Sequence, residues 1–259
     1  VALGALLGVT VAFGVTPARV LPAAAPATAP APPVADVRPF TVESPNGNRA
    51  DNYYWLRDDA RKNADVLAYL AAENVYTDAM LTHVKPLEEK LFREFVAHTQ
   101  QDDSSVPYRE RGWWYYTRYD TGQEHPVYAR RKGSLQAPEQ VMLDAPQLAK
   151  GHDYYEVGQR AVSPDNQLLA YVEDTVGRRQ YTLRFRNLAT GRTLPDMVEN
   201  VESSLAWAAD SRTVLYVEKD PVTLLGLRVR KHVVGTDPGA DPLVYEQDDT
   251  SFYTTVDKT

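Results

Sequence analysis

The sequence predicts a mainly β fold, an incomplete β-propeller of about three blades, preceded by a short α-helical segment. Three observations predict it. The stretch Ala161–Asp174 returns 45 residues later as Ala206–Lys219, with Ala161/Ala206, Asp165/Asp210, Tyr171/Tyr216, Val172/Val217 and Glu173/Glu218 identical. A period of roughly 40–50 residues built on short strands is that of propeller blades. From Gly112 onward, aromatic and β-branched runs alternate with turns rich in Gly, Pro, Asp and Asn. Helical spacing of apolar residues is confined to the stretch between Asn63 and His98. A blade cannot bury both faces of its sheet alone, so each copy needs neighbours. A third copy would start at Ser251, close to Thr259, and the sequence is therefore expected to be part of a longer protein.

Taken in order, residues 1–38 are read as lying outside the fold. Val1–Val15 is an uncharged run of the length of a signal-peptide core, too short to span a membrane as an anchor. Pro22-Ala-Ala-Ala25 offers small residues for cleavage, and an Ala/Pro-rich linker follows to Pro33. Export to the periplasm or the medium is expected, the alternative being a frayed apolar tail on a cytoplasmic protein. Residues 39–98 form the helical segment. Asn63 caps a helix running to about Met80, with Val66, Leu67, Leu70 and Val75 as its apolar stripe. Pro86 suits the first turn of a second helix, in which Leu87, Leu91, Phe92 and Phe95 form a core-facing stripe. The polar segment 99–107 is expected to be a hinge or linker, and residues 108–259 the incomplete propeller. Strands are predicted at Gly112–Arg118, Val127–Arg131, Val141–Leu143, Arg160–Ser163, Leu168–Glu173, Tyr181–Leu188, Leu227–Val234 and Leu243–Tyr245.

Composition narrows the function. The net charge of −7 argues against a nucleic-acid partner, since phosphate binding needs a basic surface. The clusters Arg130-Arg131-Lys132 and Arg228-Val-Arg-Lys231 fit solvated strand faces. The absence of cysteine excludes disulfides, thiolate catalysis and Cys-based zinc sites.

Other residues are shared with a known family. Asp51–Asp59, Leu67–Asn74, Lys85–Phe92, Gln101–Arg109, Trp114–Tyr119, Gly151–Tyr154, Arg178–Arg184, Ser204–Asp210, Lys219–Thr223 and His232–Pro238 occur in order. Together they make residues 38–259 resemble the N-terminal region of the prolyl oligopeptidase family, the oligopeptidase B type most of all. The resemblance implies a seven-bladed propeller over an α/β-hydrolase domain, with the helices packed on the hydrolase side. It further implies a serine peptidase that cleaves short peptides after Arg or Lys, the propeller limiting which substrates enter. Two departures are Asp51-Asn-Tyr, where the family commonly has Asp-Pro-Tyr, and the exported N-terminus.

That chemistry requires Gly-x-Ser-x-Gly with Asp and His after it. Gly4/Gly8 and Gly235/Gly239 have the spacing, but Leu6 and Asp237 stand at the centres. No catalytic residue is therefore assigned within the sequence, and the Ser, Asp and His are expected beyond Thr259. His83, His98, His125, His152 and His232 lack metal-site spacing and are read as structural or solvated. No metal or cofactor is expected. Asp58-Asp59 and Asp102-Asp103 are read as turn and capping residues before cationic-substrate contacts, and Trp113-Trp114 and Trp207 as packing. A non-catalytic propeller used for binding is the rival reading. A sister peptidase with post-proline or dipeptidyl specificity is the third.

Overall fold

The computed structural model describes residues 30–258. The signal-like run Val1–Val15 and the cleavage-type residues Pro22–Ala25 lie outside them. The chain divides into two compact units, one ending at His98 and the other starting at Thr99.

In the first unit, strands β1 (Thr41–Val42) and β2 (Arg49–Ala50) pair as a hairpin. Helix α1 (Ala64–Leu81) follows, and the Asn63 side chain accepts the N–H groups of Asp65 and Val66 at its start. Helix α2 (Lys85–His98) carries Pro86 in its first turn, where a missing N–H costs nothing. Most of both apolar stripes is exposed within this unit. Val66 is buried, but Leu67, Leu70, Val75, Leu87, Leu91, Phe92 and Phe95 are exposed. Periodicity tells which face of a helix is apolar; burial also needs a second layer opposite it.

The second unit is built of blades. The first consists of β3 (Asp103–Ser104), β4 (Tyr108–Glu110), β5 (Trp113–Tyr119), β6 (Val127–Lys132) and β7 (Glu139–Asp144). Both β3 and β4 pair with the same edge of β5, so together they are one inner strand with one extra residue between them. Pro107 lies in that break and has no N–H to donate to a ladder. Within the segment expected to be a hinge or linker, Asp103 faces Tyr119 and Ser104 faces Arg118. Arg111 and Gly112, both at positive φ (46° and 81°), make the tight turn into β5. A four-residue helix, α3 (Ala145–Leu148), is capped by the Asp144 carboxylate and leads out of the blade.

The other two blades share one continuous antiparallel sheet. Its strands, in chain order, are β8 (Glu156–Val162), β9 (Leu168–Asp174), β10 (Tyr181–Asn187), β11 (Thr193–Trp207), β12 (Thr213–Lys219), β13 (Gly226–Val233) and β14 (Leu243–Glu246). The 15-residue strand β11 carries the last strand of one blade into the next, as the repeat leads one to expect, although the sequence reading assigned no strand to residues 193–205. Its first half is the outer strand of the second blade, against β10, and its second half the inner strand of the third, against β12. Asn200, at φ 55°, is the bulge between the halves. Buried positions run Asp196, Val198 before it and Val201, Leu205, Ala206, Trp207 after it, so odd positions join the buried set only past the bulge.

The repeat is reproduced pair by pair. Arg160 faces Tyr171 and Ala161 faces Ala170, as Leu205 faces Tyr216 and Ala206 faces Leu215. Asn166 and Ser211, 45 residues apart, both take positive φ (64° and 61°) in the intervening turns. There the carboxylates of Asp165 and Asp210 accept the N–H groups of Gln167 and Arg212. Asp210 is held down at about 2 by the Thr213 hydroxyl first, then by the Arg212 and Thr213 N–H groups. A lowered folded-state value makes this turn's contribution present above the ordinary carboxylate range and lost as pH falls through about 2. An NMR titration is expected to find Asp210 still ionised at pH 3; an ordinary carboxylate value there would contradict the turn geometry.

Blades bind to each other through two apolar clusters. Tyr115, Tyr128, Leu143, Tyr155, Leu169 and Tyr171 fill the space between the first and second. Leu183, Phe185, Val201, Leu205, Trp207 and Val214 fill that between the second and third. Each such fully buried Leu or Phe contributes about 1.5–3 kcal/mol. Gly158 marks the closest approach, since a Cβ there would sit 2.6 Å from Ser203 Oγ and 2.7 Å from Val172 Cγ2. Gly158→Ala is expected to cost about 1–3 kcal/mol by overpacking; an unchanged unfolding midpoint would show the blades free to part.

Candidate functional site

The first strands of the three blades line one cavity of about 600 Å³. Strand β4 contributes Tyr108 and Glu110 with the adjoining Arg111, β8 contributes Gln159–Val162, and β11 contributes Leu205–Trp207. Asp257 and Lys258 also reach it. The wall is positioned from blade to blade by hydrogen bonds. Arg111 donates to the Val162 carbonyl at 3.1 Å, Gln159 Oε1 accepts the Leu205 N–H at 3.0 Å, and Trp207 Nε1 donates to the Ala161 carbonyl at 2.8 Å. Trp207, read as packing in sequence, is indeed buried, in edge-to-face contact with Phe185 at 6.0 Å between ring centres.

The cavity holds three cations, Arg111, Arg160 and Lys258, against two carboxylates, Glu110 and Asp257. Arg111 pairs with Glu110 at 3.1 Å. Arg160 lies with its guanidinium 3.7 Å from the centre of the Tyr128 ring, a cation–π contact. Stacked rings of Tyr108 and Tyr115, 5.3 Å apart, floor the β4 side. Burial raises the Tyr108 phenol, the Glu110 charge adds to this, and Arg160 opposes it. This arrangement can bind and sort; it contains no Ser–His pair for nucleophilic attack.

One buried cluster has the look of half a catalytic triad. His232, fully buried, presents Nδ1 to Asp241 at 3.0 Å and Nε2 to Asp196 at 3.1 Å. Asp241 also accepts the Tyr216 hydroxyl at 3.0 Å, and Asp196 accepts the Gly235 N–H. In a triad Nε2 would face a nucleophile. Here it faces a second carboxylate, away from any surface, and the cluster joins β13 to β11 and to the turn before β14. Among the described residues, no group of three His, Cys, Asp or Glu side chains is placed to hold a metal ion.

The remaining sequence candidates take structural places. Asp58 accepts the N–H groups of Lys62 and Asn63 in a turn, which lowers its carboxyl. Asp59 pairs with Arg57. Asp103 accepts the Ser104 N–H, and Trp114 Nε1 donates to the Gly133 carbonyl. Asp237, at the centre of the Gly235/Gly239 spacing, caps a short 3-10 turn at Pro238–Ala240. The cluster Arg130–Lys132 departs from its predicted solvated face, because Arg130 is only 2% exposed. It spans the first two blades, donating to Gln140 Oε1 at 2.7 Å and the Asn166 carbonyl at 2.9 Å, with Trp113 stacked at 3.8 Å. Alternation gave the wrong answer because the second blade covers the face of β6 that carries Arg130. Sequence reading did not single out Arg160, although the repeat held the signal: its partner 45 residues on is the buried Leu205.

Comparison with known proteins places this architecture. Residues 32–259 match the family described as "Prolyl oligopeptidase, N-terminal beta-propeller domain". The dipeptidyl aminopeptidase BI of Pseudoxanthomonas mexicana is 56% identical over 238 residues, which is 86% of this chain and 33% of that protein. Protease 2 of Moraxella lacunata is 30% identical over 85% of this chain and 32% of its own length. The solved oligopeptidase B of Leishmania major superposes with a TM-score of 0.79 at 30% identity, over 85% of this chain and 33% of that one. The chain thus spans about a third of the length of these relatives, all of them named as peptidases. A 45-residue repeat folded as consecutive blades, matched from residue 32 to residue 259, shows that the chain belongs to the prolyl oligopeptidase family and carries blades of its N-terminal propeller.

Proposed function

We propose that this chain is the access-controlling part of a serine-type oligopeptidase that cleaves short peptides after Arg or Lys. The observation that carries the reading is the collinear match to the family over residues 32–259, joined to 30% identity with an oligopeptidase B of the same fold. The chain's own work is to form a wall. Its inner strands line a cavity with polar and charged groups, its blade interfaces are tightly packed, and the reacting Ser, Asp and His belong to a hydrolase domain beyond Thr259. The exposed apolar stripe of α2 (Leu87, Leu91 and Phe92), around a groove of about 400 Å³, suits packing against that domain. The segment 99–107 is read as the hinge or linker between helices and blades, with Asp103 and Ser104 inside it paired to β5.

The test is turnover by the full-length protein. Arg- and Lys-ended chromogenic peptides are expected to be hydrolysed, and a serine-directed inhibitor to stop it; hydrolysis only after proline, or none, would refute the specificity. A second reading follows from the relative named as a dipeptidyl aminopeptidase, 56% identical. Dipeptide release from peptides with a free amino terminus, abolished by N-acetylation, would favour it. We further infer export, from the apolar run Val1–Val15 and the small residues after it. Among the described residues no helix is long and apolar enough to cross a membrane. Cell fractionation is expected to recover the protein outside the cytoplasm, and recovery with cytoplasmic markers would overturn this.

A further inference from the structure

We propose that Arg160 is a carboxylate-binding position on the cavity wall, placed to hold the C-terminal carboxylate of a peptide inside the propeller. The inference rests on the peptidase reading for the nature of its ligand, and on three features of this chain for the site.

The first is a break in the repeat. The two inner strands share their register, and the residue opposite Tyr216 is Leu205, 2% exposed, whereas the residue opposite Tyr171 is Arg160, which is exposed. Packing at this position is satisfied by leucine in one blade, so the blade fold itself does not call for an arginine in the other.

The second is the state of the guanidinium. Of the cations in the cavity, Arg111 is occupied by Glu110 and by the Val162 carbonyl. Among the described residues, the Arg160 guanidinium has no carboxylate within ion-pair distance and donates no hydrogen bond to a side chain or carbonyl. Its plane is instead fixed by the Tyr128 ring 3.7 Å away, and Tyr128 is itself buried. A guanidinium oriented through its face keeps its edge of N–H donors for a ligand. That edge matches a carboxylate in a two-pronged hydrogen bond.

The third is charge. The protein carries a net −7, yet this cavity holds one more cation than carboxylates. An anionic group is therefore drawn to this wall while most of the surface repels it. The carboxylate could be the peptide's C-terminus or an acidic side chain near it, and both have the same fit to the guanidinium.

The experiment uses the full-length protein and three peptides of one sequence: a free acid, its C-terminal amide, and an amide with a penultimate Glu. The variants are Arg160→Leu, which installs the residue of the neighbouring blade, and Arg160→Gln. For the free acid, KM is expected to rise about tenfold in both variants, the size of one charge-assisted hydrogen bond, with kcat unchanged. The amide should be unaffected. An equal rise for the Glu-bearing amide upholds a carboxylate site that also takes side chains, and a rise there alone overturns the C-terminal assignment. A change shared by all three peptides, or none for any, overturns the proposal. Calorimetric titration with an uncleavable acetylated acid and its amide separates this from the peptidase reading. Preference for the acid that disappears in Arg160→Leu upholds the site even if no peptide is cleaved, and cleavage without that preference sinks the site alone. A melting curve of each variant matching the parent shows that the fold is intact.

Discussion

Replacing His232 by leucine is expected to destabilise the propeller by about 3–5 kcal/mol, the cost of leaving buried charge without its partner. The imidazole stands between two carboxylates, and both ring nitrogens are in use. Its removal leaves Asp196 with the Gly235 N–H and Asp241 with the Tyr216 hydroxyl, each short of a donor in a site closed to water. Burial first, then the Asp241 charge, pushes the Tyr216 phenol well above its ordinary range, so it stays protonated and remains a donor to Asp241. Chemical denaturation should show the loss directly. The control is a variant that also replaces Asp196 and Asp241 by Asn, which should regain much of it because no carboxylate then remains unpaired. A His232→Leu protein as stable as its parent would mean that water reaches the cluster.

Arg130→Met is the second large effect, at about 2–4 kcal/mol. Methionine keeps most of the stem but removes the donors to Gln140 Oε1 and the Asn166 carbonyl, two acceptors at the seam of the first and second blades. It also removes the cation from the Trp113 face. The seam contains a second bond, Gln140 Nε2 to the Leu188 carbonyl at 2.6 Å, so the loss should spread along it. Hydrogen exchange is the informative measurement. Amides of the turn at Asn166 are expected to exchange faster than those of β12, which lies a blade away. Uniform acceleration across all three blades would show that Arg130 supports the whole sheet and not one seam.

Much of this fold was legible because a blade announces itself locally. Tyr181, Leu183 and Phe185 alternate with polar residues, and all three are buried. The turns at Asn166 and Ser211 follow from Asp165 and Asp210 at the same place in each copy. Strand β11 was hidden for a physical reason. Pro195, Asp196, Glu199, Asn200 and Glu202 interrupt its apolar pattern, and odd positions join the buried set only past the bulge at Asn200. A search for one alternating run cannot see a strand composed of two. Asp196 was not singled out because its partner, His232, lies 36 positions away and only the folded sheet brings them together. The cavity was hidden likewise, since Arg111, Arg160 and Trp207 meet only once the blades are side by side.

Strand β11 also bears on where such a protein can be divided. Its halves belong to different blades, yet they are one stretch of backbone from Thr193 to Trp207. The copy visible in the sequence and the sheet visible in the structure are therefore out of phase. Cutting the chain at a sequence-repeat boundary would run through a ladder, whereas cutting at the loop between β9 and β10 would separate two strands of one blade. A graft of one blade into another propeller would need staggered ends, taking the inner strand from one half of β11 and leaving the other half behind.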